Sequence, residues 1–465
     1  MENSTFTLTK LACMTAMALS SATPDAFAQE EQPEEKQHAI EKIMVTAQKR
    51  SESLQDVPVA MTVTTAEQLE RDQIYSITDL QRTTPALEVS QSFGGESNGG
   101  GRMRGIGTNV FNETAAASVA IVVDQVPQGN VVSPQLFDLA QVEVLRGPQG
   151  TLFGQTASAG VIQVTTKAPD YSEVSGEIGA DYAWDDVDRT IIRGALNVPV
   201  TDYSALRFSG RVTKEKGLQR NIVLDQDNVT EEQSYRVRYR NEAREDLMVD
   251  LIGEYNLQDF DGVNFFAPAI APTFAPSIAN YTACGLTDIQ PDAREYCAEK
   301  MSQEKRETMS LSAIVNWHIP DHTLTSVTAY KEKNIETIPR NYPSRTGAPT
   351  AVRENLESTG EQISQELRLS SDTNSDFQYI AGVFFSSYAY DTGALNDPEY
   401  GNPLNLTGFS VCATSIDAVP PVPFLQAAFA ANGYWCPVGA AAVMEDIDVS
   451  SQAIFADVTY DVNTD

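Results

Sequence analysis

A period of two limits what this chain can become more than any other feature. From Ser204 to Thr213, Leu206, Phe208, Gly210 and Val212 alternate with Arg207, Ser209 and Arg211, and from Tyr235 to Arg240 tyrosine and valine alternate with arginine. Successive side chains of a strand point to opposite faces, so each segment is a strand with one apolar and one charged face. The same reading places strands near 174–183, 188–198, 204–213, 234–242, 246–257, 308–318, 323–332, 360–371, 377–390 and 450–462. Period alone leaves two architectures open: in a soluble sandwich the apolar face is core, whereas in a membrane barrel it meets lipid and the charged face lines a wet interior. Connection lengths separate them. The links after the second, fourth, sixth and eighth strands are tight, as at Asn241–Glu245 and Ile319–His322, and those after the third, fifth, seventh and ninth are long. Short turns on one rim and long loops on the other are the habit of an outer-membrane barrel. Tyr182, Trp184, Tyr255 and Trp317, near strand ends, fit the two membrane interfaces, though each alone is a β-favouring aromatic.

The N-terminal region reads as export and tether. Lys10, the apolar run Leu11–Leu19 and the small residues of Ala26-Phe27-Ala28 make residues 1–28 a secretory signal. Beyond it no uninterrupted apolar run reaches the ~18 residues of a membrane helix, so a membrane home would have to be a β-barrel. Gln29 to His38 is QEEQPEEKQH, too polar to fold, so residues 29–40 form a disordered tether. The net charge of −32, with 64 acids against 32 bases, argues against nucleic acid as a partner. Cys284, Cys297, Cys412 and Cys436 allow three connectivities, among which sequence does not choose; local pairing would staple two long loops in an oxidising compartment. A metal site is the other use of cysteine, but His38, His318 and His322 are the only histidines and no Cys-x-x-Cys occurs.

Between Leu54 and Lys167 short β runs alternate with short helices, an α+β pattern. Val57–Val63 is a strand, and Thr65 with Gln68, then Ser76 with Asp79, have capping-box spacing and open helices ending near Glu70 and Arg82. Val119–Val123 is apolar throughout, as a strand buried on both faces would be. Val142–Pro169, VEVLRGPQGTLFGQTASAGVIQVTTKAP, is strand, glycine-rich turn, strand. That string resembles the end of the plug domain of TonB-dependent outer-membrane receptors. Upstream, Glu41–Arg50 (EKIMVTAQKR) resembles the family's TonB box, and Arg102–Gly107 (RMRGIG) and Val119–Asp124 (VAIVVD) fall between them in the family's order.

The resemblance, from about Ile43 to the end, implies an α+β plug followed by antiparallel transmembrane barrel strands, divided as a box region 41–50, a plug 51–168 and barrel strands 169–465. About ten strands are readable where a plugged barrel needs about 22, and Tyr460–Asp465 ends in a turn rather than on a terminal aromatic strand, so the sequence is expected to be the N-terminal part of a longer receptor. Ile43, Met44, Val45, Thr46 and Ala47 form a short apolar segment without a partner strand, able to add to another protein's sheet edge; the alternative is a first strand of the plug. TonB and its inner-membrane complex are the implied partners on the periplasmic side, with outer-membrane lipid around the barrel. Gly94, Gly95, Glu96, Ser97 and Asn98 form either a ligand-facing plug loop or a linker. Arg104 and Arg146, each before a glycine, are either surface charges or a lock between plug and barrel, with Glu254 and Glu366 as inward carboxylates. Arg236, Arg238 and Arg240 line the lumen, where they would suit an anionic chelate or simply face water. Related plugs usually carry Asp-Gly where this chain has Asp124-Gln125, which bears on the turn and not on the domain. The implied function is TonB-dependent uptake of a scarce ligand, a ferric siderophore by family frequency, with oligosaccharide or aromatic-compound uptake, or a passive porin or adhesin, as alternatives. No nucleophile elbow, phosphate loop or metal-ligand cluster is present, so neither an enzyme, a cofactor nor a bound metal is expected.

Overall fold

A computed structural model describes residues 43–89, 101–107, 117–129, 134–153, 157–184, 188–262, 294–296, 301, 303–338, 355–371, 377–395 and 445–460. The signal and tether segments, the 94–98 loop and the cysteines at 284, 297, 412 and 436 lie outside the described residues.

The N-terminal part holds β1 (Met44–Val45), β2 (Glu52–Ser53), β3 (Met61–Thr65), α1 (Ala66–Arg71), β4 (Leu87–Val89), β5 (Gly101–Met103), β6 (Ile106–Gly107), β7 (Val119–Val123), β8 (Val126–Pro127), β9 (Leu139–Arg146), α2 (Gly150–Phe153) and β10 (Gly160–Thr166). Its centre is a five-stranded sheet in the order β3-β9-β10-β7-β8, with β10 and β7 parallel. All five residues of β7 are buried, as an apolar strand between two neighbours should be. Leu69, Leu80, Val142, Val144, Ile162 and Val164 close the core over this sheet.

Local chemistry explains the connections. Thr65 and Gln68 form the capping box that opens α1. Ser76 and Asp79 exchange reciprocal bonds, Asp79 N–H to Ser76 Oγ and Ser76 N–H to the Asp79 carboxylate, which also accepts from Tyr75 N–H, and the element that follows, Thr78–Arg82, is a 3₁₀ helix and not an α-helix. At the two-residue hairpin between β7 and β8, Asp124 and Gln125 both have positive φ, 45° and 70°. This is the turn that usually takes glycine second. Two contacts hold Gln125 there without it: the Asp124 carboxylate accepts from Thr166 N and Oγ1 at 3.0 and 2.6 Å, and the Gln125 amide oxygen accepts from Arg368.

The rest is one antiparallel sheet of long strands: β11 (Ser175–Ala183), β12 (Arg189–Thr201), β13 (Ser204–Asn221), β14 (Gln226–Arg244), β15 (Leu247–Asp261), the two-residue β16 (Glu295–Tyr296), β17 (Gln303–Ile319), β18 (His322–Ile338), β19 (Asn355–Ser371), β20 (Phe377–Leu395) and β21 (Glu445–Tyr460). Each pairs with the next in chain order, except that β16 lies off the path beside β13. The strands run further than hydrophobic period indicates on the rim opposite the tight turns. The link after the third strand, expected to be long, is a tight hairpin at 222–225. Its polar residues read as loop, but Lys214–Glu231, Lys216–Asp227 and Arg220–Asp227 ion pairs join the two strands across the ladder.

The two faces of this sheet are inverted relative to a soluble protein. Arg211, Arg236, Arg238, Asp250, Lys331, Glu366 and Arg368 are buried on the face that meets the small sheet. Phe208, Val237 and Leu251 on the other face are 42, 42 and 47% exposed, and Val212, Leu311, Leu367 and Val383 join them. No second sheet covers that apolar face among the described residues.

Candidate functional site

The site forms where the first residues of the plug meet the sheet wall. Met44 and Val45 pair with Ser53 and Glu52, correcting the expectation that Ile43–Ala47 has no partner strand; β2 is too short and polar to be read as one. Val45 and Ala47 are 0 and 1% exposed. Between them Thr46 turns to the main plug sheet, where its N–H and hydroxyl donate to Glu143 Oε1 at 2.9 and 3.0 Å, and Gln163 Nε2 donates to Thr46 Oγ1 at 2.6 Å. Gln141 Nε2 bridges Glu143 Oε1 at 2.7 Å and the Met44 carbonyl at 3.2 Å. Glu143 and Gln163 are direct neighbours on β9 and β10. Burial pushes the Glu143 carboxyl up, against the opposing effect of the bonds from Thr46 and Gln141. A glutamate inside the run Val142–Leu145 was the sequence signal for this dock, and period reasoning passed over it.

Three residues on, the chain reaches the wall. Lys49, in the left-handed region at φ 59°, donates its N–H to the Thr46 carbonyl at 2.9 Å and places its ammonium 2.5 Å from Glu366 Oε2 on β19. The same ammonium lies over the rings of Phe153 on α2 and Phe455 on β21, 5.3 and 5.0 Å from their centroids. Burial outweighs these partners and lowers the Lys49 pKa to about 8. Arg50 Nη1 then donates to Gln378 Oε1 at 3.0 Å.

The body of the plug is pinned by cations of the wall. Arg207 grips Asp138 through Nε and Nη2 at 2.8 and 2.5 Å. Arg211 donates to the Tyr75 carbonyl at 2.8 Å and Lys331 to the Pro127 carbonyl at 2.9 Å. Arg236 pairs with Glu254 at 2.5 Å, donates to the Phe137 carbonyl at 3.0 Å and covers the Phe137 ring at 4.4 Å. Arg238 bridges Thr166 Oγ1 at 2.8 Å and Asp250 at 2.7 Å, while Arg240 shares Asp250 at 2.6 Å. Beside them Val126 packs on Ile252, Ile314, Val327 and Ala329.

This arrangement reverses the lock expected from sequence. Arg104 is exposed, because Arg104 and Gly105, at φ 54° and 77°, form the β5–β6 turn and direct the side chain outward. Arg146 donates to the Met61 carbonyl at 3.0 Å within the plug. Neither makes an ion pair among the described residues. Glu254 and Glu366 do meet cations, but these are Arg236, Arg368 and Lys49. Arg236, Arg238 and Arg240 face inward as their alternation requires. They are not a free lumen lining, since their charges are taken up by Glu254, Asp250 and plug oxygens.

A small α+β domain pinned against the charged face of a wall whose other face is apolar is the arrangement of a plug set against β-barrel strands. Residues 53–161 match the family described as the TonB-dependent Receptor Plug Domain. Among curated relatives, the vitamin B12 transporter BtuB of Vibrio vulnificus is 32% identical over 139 residues, 29% of this chain and 22% of the relative. The pesticin receptor of Yersinia pestis is 35% identical over 132 residues, 28% and 19% of the two chains. Among solved structures, the Pseudomonas aeruginosa pyoverdine-bound FpvA aligns with a TM-score of 0.62 at 13% identity, over 91% of this chain and 52% of that one. The ferric yersiniabactin uptake receptor FyuA of Yersinia pestis aligns at 0.59 and 19% identity, over 73% and 50%. At such identities the structural likeness speaks for the fold. Residues 53–161 are a plug domain of the TonB-dependent receptor type, and the chain spans about half the length of these solved structures.

Proposed function

We propose that the chain takes part in TonB-dependent uptake of a scarce ligand, a ferric chelate by preference, across the outer membrane. The observation that carries this reading is the site itself: a box-like segment docked on a plug that is pinned inside an outward-apolar wall. The exposed band of Phe208, Val237, Leu251 and Leu311 suits lipid, with Tyr203 and Trp317 toward one rim and Tyr182 and Trp184 toward the other, where interfacial aromatics belong. In this reading residues 29–40 tether the box region 41–50 in the periplasm, residues 51–168 are the plug and residues 169–465 supply wall strands. TonB, with its inner-membrane energising complex, captures Ile43–Ala47 by strand addition. Relatives named for vitamin B12 and for ferric yersiniabactin support a chelate as cargo.

Deleting residues 43–47 tests the reading on whole cells. Uptake of a ferric siderophore is expected to fall to background while surface binding stays. Unchanged uptake would mean a passive pore, and saturable binding of an oligosaccharide in place of a ferric chelate would reassign the cargo.

A further inference from the structure

Between β10 of the plug and β14, β15 and β19 of the wall lies a cavity of about 220 Å³ whose lining carries more positive than negative charge. Lys49, Arg50, Arg238, Arg240 and Arg368 contribute to it, against Asp124 and Asp250. Asp250 is shared by Arg238 and Arg240, and Glu366, which is not part of the lining, is shared by Lys49 and Arg368. Asp124 lies 3.5 Å from Arg238 and is already committed to Thr166. Arg50 meets the neutral amide of Gln378, and Glu52, whose charge also bears on it, stands outside the lining. The side chains of Lys49, Arg238 and Arg368 are each 6% exposed, so bulk water does little to screen the excess. Buried charge without a counter-charge is costly, and this lining calls for an anion.

Two buried atoms define which anion. Arg238 Nε has no acceptor and Gln163 Oε1 no donor among the described residues, although both residues line the cavity and are only 5 and 4% exposed. The Nη atoms of Arg238 are taken up by Thr166 and Asp250, and Gln163 Nε2 by Thr46, so neither side chain can turn to satisfy its free atom without breaking a bond already made. A ligand that answers both must bring an acceptor oxygen for the guanidinium and a hydroxyl proton for the amide oxygen. We propose that the cavity is a binding site for a single hydrogenphosphate ion, seated between β10 of the plug and β14 of the wall. One phosphate oxygen accepts from Arg238 Nε, the phosphate hydroxyl donates to Gln163 Oε1, and the dianion offsets the surplus of cations. The cavity is several times the ~30 Å³ share of one water molecule, enough for a tetrahedral oxyanion. Water alone would satisfy the two atoms and leave the charge. Sulfate matches the shape and charge but has no proton to give, and a phosphomonoester headgroup, with its second pKa near about 6, has lost that proton at neutral pH. The free ion is therefore the match, and the site does not depend on the uptake reading.

Equilibrium dialysis of radiolabelled inorganic phosphate against the full chain, purified from outer membranes in detergent, tests the site at slightly alkaline pH and fixed ionic strength. Saturable binding is expected, with sulfate at least about tenfold weaker as a competitor, because sulfate leaves Gln163 Oε1 without a donor. Gln163→Met removes that acceptor at similar volume and should bring phosphate down to the level of sulfate while sulfate itself is unchanged. The preference is read as a ratio within each variant, so a general loss of fold, which weakens both anions together, does not imitate it. Where Gln163→Met does not fold, Gln163→Glu, of the same shape, should exclude both anions by repulsion, and its melting temperature in phosphate-free buffer shows that the plug is intact. Absence of saturable phosphate binding up to millimolar concentrations overturns the proposal and leaves a cavity that holds water. Equal binding of sulfate and phosphate by the parent chain overturns it as well, since the cations would then attract any dianion. So does a phosphate preference that survives Gln163→Met, or phosphate binding undiminished in a folded Gln163→Glu chain, either of which puts the ion elsewhere. Any of these failures leaves the uptake reading standing.

Discussion

At the scale of single residues, Lys49 carries a conflict that pH makes visible. Burial lowers its pKa to about 8 from the ordinary 10.5, although Glu366 faces it at 2.5 Å; Arg368, on the same strand, opposes its charge. The docked segment therefore binds fewer protons than the released one between those two values. Docking should strengthen as pH rises from about 8 toward 10.5, and that gain is lost as pH falls through 8. A spin label attached at Met44→Cys, a half-exposed position on β1, should show its mobile fraction shrinking between pH 7.5 and 10. Lys49→Arg, whose guanidinium does not titrate in that range, should abolish the trend. A mobile fraction that grows with pH would mean that the charge pair outweighs burial after all. Nothing in the sequence distinguishes Lys49 from a solvated lysine, because its partner is 317 residues away. Glu143 was more accessible to reasoning, as a charge inside an apolar strand demands donors.

At the scale of elements, the inverted wall makes a graded prediction. Val237 on β14 lies opposite Phe208 on β13, with both side chains on the apolar face. Val237→Arg should cost about 2–4 kcal/mol of stability in a bilayer, and the same change at Gln233, two pleat repeats nearer the long-loop rim, should cost less, toward about 0–1 kcal/mol near the interface. Denaturant unfolding from lipid vesicles measures both, and equal effects would place the band elsewhere. The band was legible in sequence because period two survives wherever one face must meet lipid. The rim extensions of β13 and β14 were not, since above the band both faces are wet and the ladder is held by cross-strand ion pairs such as Lys214–Glu231. The identity of the plug's pins was hidden for a different reason. Arg211, Arg236 and Lys331 reach main-chain carbonyls of the plug, which any sequence presents.

At the scale of the whole molecule, topology sets the order in which a pull on the box would act. The chain leaves the box through Lys49 and β2 and enters the plug sheet at β3, which among the described residues is an edge strand paired with β9 alone. Beyond β9, the strands β10, β7 and β8 are pinned by Arg238 at Thr166, Arg368 at Gln125 and Lys331 at Pro127. Hydrogen bonds from charged donors contribute about 1.5–3 kcal/mol each, so these contacts with those of Arg207, Arg211 and Arg236 hold the plug body by on the order of 10 kcal/mol. Among the described residues the box side has only Lys49 and Arg50 on the wall. Force should therefore strip the Lys49 and Arg50 contacts and peel β3 from β9 before it shifts the body. Two tethers made with a bifunctional thiol reagent separate these motions. Joining Thr64→Cys to Val142→Cys, directly opposite on β3 and β9, should stop uptake while leaving ligand binding unchanged. Joining Asp138→Cys to Arg207→Cys fixes the body to the wall and should leave uptake largely intact. If the second tether blocks uptake as completely as the first, the plug moves as one body, and the peeling order read from the sheet is wrong.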